Sequence, residues 1–131
     1  MRLSAVMCQQ SIVVAPVDTV ARVNSRAFFN CSVSTGGDFV MWEYQPPRPD
    51  ASVRIYTEKE NKVKDDQKAK FEVERNNQTG AHNLVIKSVQ MDLAVLYFCG
   101  LVFDGMKKTA HLVAISMIRN FMPVNLWNYY L

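Results

Sequence analysis

A tyrosine and a cysteine at the end of one apolar segment constrain this chain more than any other feature. The segment Ser88–Cys99 ends in Tyr97 and Cys99, which are separated by a single residue. A tyrosine at that spacing can turn its hydroxyl back onto upstream backbone and lock the corner that leads into a strand. A second cysteine, Cys31, and a tryptophan, Trp42, lie earlier in the chain, within segments that alternate between apolar and polar residues. The pattern predicts strands around these residues.

Alternation with a period of two predicts strands through most of the chain. In residues 27–33, for example, Phe29 and Val33 face one way, whereas Asn30 and Ser32 face the other. The predicted strands are Ser11–Val17, Ala27–Val33, Phe39–Gln45, Val53–Tyr56, Lys70–Arg75, Asn83–Val89, Val95–Leu101 and Thr109–Ser116. Short strands separated by turn-rich loops are typical of an all-β sandwich or barrel.

Five residues at these spacings, Cys31, Trp42, Gln45, Tyr97 and Cys99, together resemble the pattern of variable-type (V-set) immunoglobulin domains, such as those of antibodies and T-cell receptors. The resemblance covers roughly residues 10–116. It implies an all-β, immunoglobulin-like V-type β-sandwich of two antiparallel sheets with one inter-sheet disulfide, between Cys31 and Cys99. The core residues that it implies are Trp42, Tyr97, Leu84 and Ile86.

Two positions depart from the pattern of rearranged antigen receptors. The family usually places an acidic residue six positions before its second cysteine, where this chain has Leu93. The joining-segment motif Phe-Gly-x-Gly is absent before the last strand, and Phe103-Asp104-Gly105 is at most an echo of it. These departures favour a non-rearranging or divergent relative.

The resemblance implies an extracellular recognition domain of an immune-type receptor, binding a protein or glycan through its loops or through the face of its G, F, C and C′ strands. Two alternatives stay open. One is a cell-adhesion or co-receptor V domain. The other is an innate lectin-like binder of microbial glycans, with Tyr56 and Phe103 as the aromatic candidates. The predicted ligand-loop residues are Ser34, Thr35, Gly36, Gly37, Asp38, Tyr56, Thr57, Phe103, Asp104 and Gly105.

Alternation also places four side-chain positions, Glu43, Gln45, Phe98 and Gly100, on the outer surface of one sheet. This arrangement resembles paired variable domains, in which glutamines bond across a two-fold axis. It predicts a homodimer or pairing with another V domain. Two copies of Glu43 near such an axis would repel each other unless each had a basic partner, for which Lys107 and Lys108 are candidates.

Composition and spacing argue against several other classes of protein. The 131-residue chain has a net charge of +3 and its 15 lysines and arginines are scattered, so a nucleic-acid partner is not predicted. His82 and His111 have no Cys, Asp or Glu at ligand spacing, so neither a metal nor another cofactor is predicted. No nucleophile motif is present, so an enzyme is not predicted either.

Two Asn-x-Ser/Thr sequons bear on the cellular location. Asn77-Gln78-Thr79 falls in a predicted turn and is the main candidate for glycosylation, whereas Asn30 lies mid-strand beside Cys31 and is the weaker one. A disulfide together with sequons predicts an extracellular protein, secreted or at the cell surface. A membrane would be involved only through an anchor outside this sequence, since no apolar run here is long enough to span one.

The predicted domain occupies residues 9–116. Residues 1–8, which include Cys8, are interpreted either as a leader remnant or as a start added for expression. Residues 117–131 form a C-terminal tail of open status, with a domain-exchange segment, the start of a stalk and vector- or splice-derived sequence as the alternatives.

Overall fold

The computed structural model describes residues 11–34, 36, 38–48 and 50–116. The proposed leader or expression start, Cys8 and the tail at 117–131 lie outside the described residues. The strands are β1 (Ile12–Val14), β2 (Thr19–Arg22), β3 (Ala27–Phe29), β4 (Ser32–Val33), β5 (Val40–Gln45), β6 (Val53–Thr57), β7 (Lys62–Val63), β8 (Phe71–Asn76), β9 (Ala81–Ile86), β10 (Leu96–Leu101) and β11 (Lys107–Ile115), with a 3₁₀ turn at Met91–Leu93.

Within the described residues, these strands form a five-stranded and a six-stranded sheet. The first has the order β1-β4-β9-β3, with β8 also paired to β9, and the second has the order β2-β11-β10-β5-β6-β7. Strands β6 and β7 lie beyond β5, where variable-type domains add two strands to the sheet that constant-type domains have. The fold is an immunoglobulin-like sandwich. Its one departure from two purely antiparallel sheets is the parallel pair of β2 and β11.

The first predicted strand, 11–17, is instead two strands that belong to different sheets. Residues Ile12–Val14 pair with β4, and Thr19–Arg22 pair with β11. The buried Pro16 lies between them. Because proline has no N–H group to give to a ladder, the first pairing ends there and the chain crosses to the other sheet.

The second predicted strand, 27–33, is interrupted at Asn30 and Cys31. The side-chain oxygen of Asn83 accepts the N–H of Cys31 at 3.0 Å, and the N–H of His82 donates to the carbonyl of Cys31 at 2.7 Å. A side chain therefore replaces one rung of the backbone ladder, and the strand divides into β3 and β4.

The core is built around the bridge between Cys31 and Cys99, whose Cα atoms are 6.6 Å apart. Trp42 is fully buried, and its indole N–H donates to the carbonyl of His82 at 2.7 Å. The hydroxyl of Tyr97 donates to the carbonyl of Leu93 at 2.7 Å, which is the corner bond that its spacing from Cys99 predicts. Leu93 occupies the position at which variable-type domains usually have an acidic residue. In this chain Leu93 is buried and fills part of the core.

Candidate functional site

The surface of the six-stranded sheet that faces away from the disulfide is called the outer face here. Strand register brings the four predicted dimer-face residues together on it. Phe98 of β10 pairs with Glu43 of β5, Leu96 pairs with Gln45, and Gly100 is two residues beyond Phe98 on the same side. Gly100 adds no exposed surface, because it is buried against neighbouring strands.

Glu43 sits at the centre of the outer face as a nearly buried carboxylate held by two cations. Its Oε2 is 2.8 Å from Nε of Arg54 on β6, and its Oε1 is 3.4 Å from Nζ of Lys107 on β11. Burial acts to raise the pKa of Glu43, but Arg54 and Lys107 together hold this pKa below its ordinary value. The three side chains therefore form a charge cluster across β6, β5 and β11 that leaves no unpaired negative charge at the centre.

Phe98 lies beside this cluster and is partly exposed. The ammonium nitrogen of Lys107 is 5.5 Å from the centroid of its ring, a cation–π distance. Gln45 is engaged within its own chain, because its Nε2 donates to the carbonyl of Asp50 at 2.6 Å. Phe98 is thus the large apolar side chain that the centre of the outer face presents to solvent.

Three aliphatic side chains extend the outer face toward its β2 edge. Val113 of β11 pairs with Val20 of β2, and Ile115 follows on the same side. Their exposed fractions are 62% for Val20, 51% for Val113 and 45% for Ile115. Sequence reasoning missed this patch because it did not predict β2, although Thr19 to Arg22 alternates as a strand does.

The outer surface of the five-stranded sheet has a different character. Arg26 lies 3.6 Å from Glu72 and 3.8 Å from Glu74, and Lys87 lies 3.8 Å from Glu72. These exposed ion pairs run across β8 and the loops beside β3 and β9, with the exposed ring of Phe28 among them. This surface therefore carries exposed ion pairs beside Phe28, and its edge strand β1 adds the exposed side chains of Val13 and Val14.

At one end of the sandwich, Asp38 joins two of the predicted ligand loops. Its carboxylate accepts the N–H groups of Phe39 at 2.7 Å, Phe103 at 2.8 Å and Asp104 at 2.9 Å. Burial would raise the pKa of Asp38, but these three amide bonds lower it below its ordinary value. The rings of Phe39 and Phe103 pack edge to face at 5.9 Å. The structure therefore brings Asp38 and Phe39 together with Phe103 and Asp104.

The other predicted loop residues have varied positions. Phe103, Asp104, Gly105 and Gly36 are exposed. Ser34 is half-buried, and its Oγ accepts the N–H of Ser11 at 2.8 Å. Thr35 and Gly37 lie outside the described residues.

Tyr56 and Thr57 require a correction, because the assignment of both to an exposed ligand loop is wrong. Both lie in β6 and are only 2% and 6% exposed. The register between β5 and β6 shifts next to Trp42, so that Tyr56 pairs with Trp42 and turns into the core. A bulge of this kind has no sequence signature, and simple alternation misplaces the ring. Phe103 remains as the exposed aromatic of the two proposed for glycan binding.

A polar cluster that sequence reasoning missed lies beneath the loops. Nε2 of the buried His82 is 3.4 Å from Oε2 of Glu58, and the same oxygen is 3.3 Å from Nη2 of Arg75. Nδ1 of His82 lies 3.1 Å from the carbonyl of Gly80, to which it must donate. Burial lowers the pKa of His82, and Glu58 offsets this only in part. The three residues come from β9, β8 and the turn after β6, a convergence that sequence spacing does not reveal.

No group of three or more His, Cys, Asp or Glu side chains that could hold a metal ion occurs among the described residues. In the same part of the chain, no helix has the length and apolar character needed to cross a membrane.

No family model and no curated protein matches the chain. Solved structures do. A chain of the crystal structure of Dpr1 IG1 bound to DIP-eta IG1 superposes with a TM-score of 0.68 at 16% identity, covering 83% of this chain and 98% of that one. Duf (Kirre) D1 gives a TM-score of 0.64 at 16% identity, covering 82% and 98%. Rst D1-D2 gives 0.63 at 17%, covering 82% of this chain and 49% of that one. At these identities the likeness is one of fold.

Proposed function

We propose that this chain is an extracellular, adhesion-type recognition domain that binds another immunoglobulin domain through its outer face. The observation that carries the proposal is the contrast between the two sheet surfaces. The outer face combines Phe98 with exposed aliphatic residues and a neutralised charge cluster, whereas the opposite surface carries exposed ion pairs. Apolar patches rimmed by polar residues mark protein-interaction surfaces. The crystal structure of Dpr1 IG1 bound to DIP-eta IG1 supports an immunoglobulin domain as the partner class.

The charge cluster supports pairing in particular. An unpaired Glu43 near a two-fold axis would repel its copy across the interface, because like charges at short range are costly in a desolvated contact. Arg54 and Lys107 each contact the carboxylate, so every copy brings its own counter-charges. A second copy and a different immunoglobulin domain both remain compatible with this arrangement.

Phe98→Glu tests the proposal, since it places a charge at the centre of the outer face. Phe28→Glu is its matched control, because Phe28 is an exposed phenylalanine on the opposite sheet. Sedimentation velocity across a concentration series measures self-association. Capture on a panel of displayed immunoglobulin domains measures pairing with other domains. We expect the Phe28 variant to associate like the wild type and the Phe98 variant to lose association while keeping its circular dichroism spectrum.

Either of two results would count against the proposal. The first is a wild-type protein that stays monomeric at high micromolar concentration and captures no immunoglobulin domain. The second is a Phe98→Glu variant that binds as well as the wild type.

A second candidate function, ligand recognition through the loops in the manner of an immune-type receptor, is favoured by the bonds that Asp38 makes. These hydrogen bonds hold Phe103, whose side chain is 69% exposed, in a fixed position at the tip of the sandwich. Phe103→Asp distinguishes the two functions. This variant should leave association through the outer face unchanged. It should abolish ligand binding only if the loops are the ligand-binding site.

A further inference from the structure

A polar cleft opens at the loop end of the sandwich, on the side of the five-stranded sheet. It has a volume of about 430 Å³, within the range of about 300–1,000 Å³ that is usual for small-molecule sites. The turn between β8 and β9 forms one wall, and the loop after β4 forms another. Residues that line it include Ser34, Glu58, Arg75, Asn77, Thr79 and His82. This loop-end cleft is separate from the outer face and adjoins the tip through Asp38, which also lines it.

The turn that forms one wall holds Asn77 in a fixed and exposed position. The side-chain oxygen of Asn76 accepts the N–H groups of Gln78 at 2.9 Å and Thr79 at 3.2 Å, and the N–H of Gly80 donates to the Asn76 carbonyl at 2.9 Å. Gly80 has φ +74°, and a Cβ there would lie 2.1 Å from the carbonyl oxygen of Val33. Only glycine fits so close to β4, so the turn is tied to the sheet.

The amide of Asn77 is oriented by its neighbour. Nη2 of Arg75 donates to Oδ1 of Asn77 at 3.2 Å, and Arg75 is itself held by Glu58 and Asn61. Among the described residues, the amide nitrogen Nδ2 of Asn77 has no partner in the protein, so it is available for modification. Asn77 also begins the sequon Asn77-Gln78-Thr79.

The second sequon has a different setting. Its first residue, Asn30, follows β3 directly. The middle residue of this sequon is Cys31, which is fully buried in the disulfide, and the third is Ser32, which is paired within the sheet in β4. Glycans occupy surface loops and turns, because the transferring enzyme must grip the sequon as an accessible segment. The turn at Asn77 meets this condition in the folded domain. At the second sequon the side chain of Asn30 is exposed, but Cys31 is buried and Ser32 is paired in the sheet, so the segment as a whole does not meet it.

We infer that Asn77 carries an N-linked glycan whose first sugar lies in the loop-end cleft. In the transfer, Nδ2 displaces the diphosphate from the anomeric carbon of a lipid-diphosphate-linked oligosaccharide. The C–O bond breaks as the C–N bond forms, Nδ2 gives up one proton, and the lipid diphosphate leaves. The cleft then offers the sugar hydroxyls the polar side chains of Ser34, Glu58 and Arg75.

A glycan at Asn77 shares one premise with the proposed function, namely that the chain enters the secretory pathway, but it does not depend on the outer face binding a partner. Both sequons belong to the five-stranded sheet or to the turn beside it, and none falls on the outer face. A glycan in the loop-end cleft covers one side of the loop after β4. It leaves the outer face bare for a protein partner.

The test uses the full chain secreted from a eukaryotic cell line and analysed by intact and peptide mass spectrometry. We expect a glycan mass on the wild type and on Asn30→Gln, and none on Asn77→Gln. Thr79→Ala should also lose the glycan while it keeps Asn77 in place. An unmodified Asn77 in the secreted wild type, or a glycan found only at Asn30, overturns the inference.

A second measurement tests whether the first sugar lies in the loop-end cleft. The glycan is trimmed to a single N-acetylglucosamine by an endoglycosidase, and hydrogen–deuterium exchange is compared with that of Thr79→Ala. A sugar in the cleft should slow exchange at the lining residues on the other side of the cleft, Ser34, Gly36 and Glu58. Slower exchange confined to residues 76–80 shows a sugar that points into solvent and refutes the cleft as its site.

Discussion

His82 is a buried side chain whose ionisation we expect to affect stability near neutral pH. Its Nδ1–H group donates a hydrogen bond to the carbonyl of Gly80. In the neutral ring Nε2 is therefore unprotonated, and it lies 3.4 Å from Oε2 of Glu58. The groups around it are Glu58, Arg75 and the ring of Tyr56. Burial lowers its pKa below the ordinary value of 6.5, despite the nearby carboxylate.

The sign of the pH effect follows from that shift. Below pH 6.5 the unfolded chain takes up a proton on this histidine more readily than the folded domain does, so the free energy of unfolding falls as the pH falls toward the folded-state pKa. Urea unfolding at pH values above and below 6.5 measures this slope. We expect His82→Gln to flatten it. An equal slope in the wild type and in His82→Gln would contradict this account of the cluster.

The disulfide makes a second prediction at the residue scale. It closes a sequence separation of 68 residues, for which the chain-entropy model gives a stabilisation of about 4 kcal/mol. Replacing both Cys31 and Cys99 by alanine should lower the free energy of unfolding by at least that amount, because small cavities add to the loss. Denaturant unfolding under non-reducing conditions measures it. A loss below about 1 kcal/mol would show that the bridge contributes little beyond the packing around it.

The residues that could be predicted from sequence are those with a fixed spacing. Tyr97 and Cys99 define a corner bond and a bridge, and both are present in the structure. Tyr56 could not be placed, because a register shift of one residue reverses the side to which a side chain points. The contact of Glu58 with His82 could not be foreseen either, since it depends on the path of a turn that carries no periodic signal.

At the scale of elements, the bonds of Asp38 should control how the two loops at the tip move. The loss of its carboxylate frees three N–H groups, two of which belong to the loop after β10. We expect Asp38→Ala to speed amide exchange at Phe103 and Asp104 with little change in global stability. Asp104→Ala is the control, since it removes an exposed carboxylate from the same loop. Unchanged exchange at Phe103 in Asp38→Ala would mean that the loops are held by their ring contact instead.

The same bonds should respond to acid. Because the folded-state pKa of Asp38 is lowered from 3.8, the bonds contribute fully above that value and are lost as the pH falls through the folded-state pKa. Amide exchange at Phe103, followed by NMR as the pH is lowered, should therefore accelerate in acid beyond the ordinary dependence of exchange on pH. The Asp38→Ala variant should show no such extra acceleration.

Most strands were predictable because their alternation is strict, as in β8 and β11. The exceptions have local physical causes. Proline at position 16 ends one pairing and lets the chain change sheets, and the side chain of Asn83 takes the place of a backbone rung beside Cys31. Both effects arise from single groups that interrupt a ladder, and neither alters the apolar pattern from which strands are read.

At the scale of the whole molecule, the sandwich turns two unlike surfaces to solvent. The predicted dimer-face residues do lie together, but Gly100 and Glu43 are buried and Phe98 is half-buried. The most exposed apolar side chains of the outer face are those of Val20, Val113 and Ile115 at its β2 edge. Sequence alone could indicate the centre of the outer face. It could not indicate its extent, because that depends on the parallel pairing of β2 with β11.

Methyl NMR tests most directly whether the outer face is the binding surface. Spectra of the free domain are compared with spectra of the associated domain. The associated sample is a concentrated solution if the domain pairs with itself, or contains an excess of an immunoglobulin domain that it captures. The outer face carries Leu96, Val20, Val113 and Ile115, and exposed Val13 on β1 of the other sheet is an internal control. We predict that the methyl signals of the four outer-face residues shift or broaden on association, while those of Val13 do not. Perturbation of Val13 with unchanged signals at Leu96, Val20, Val113 and Ile115 would contradict the assignment of the binding surface.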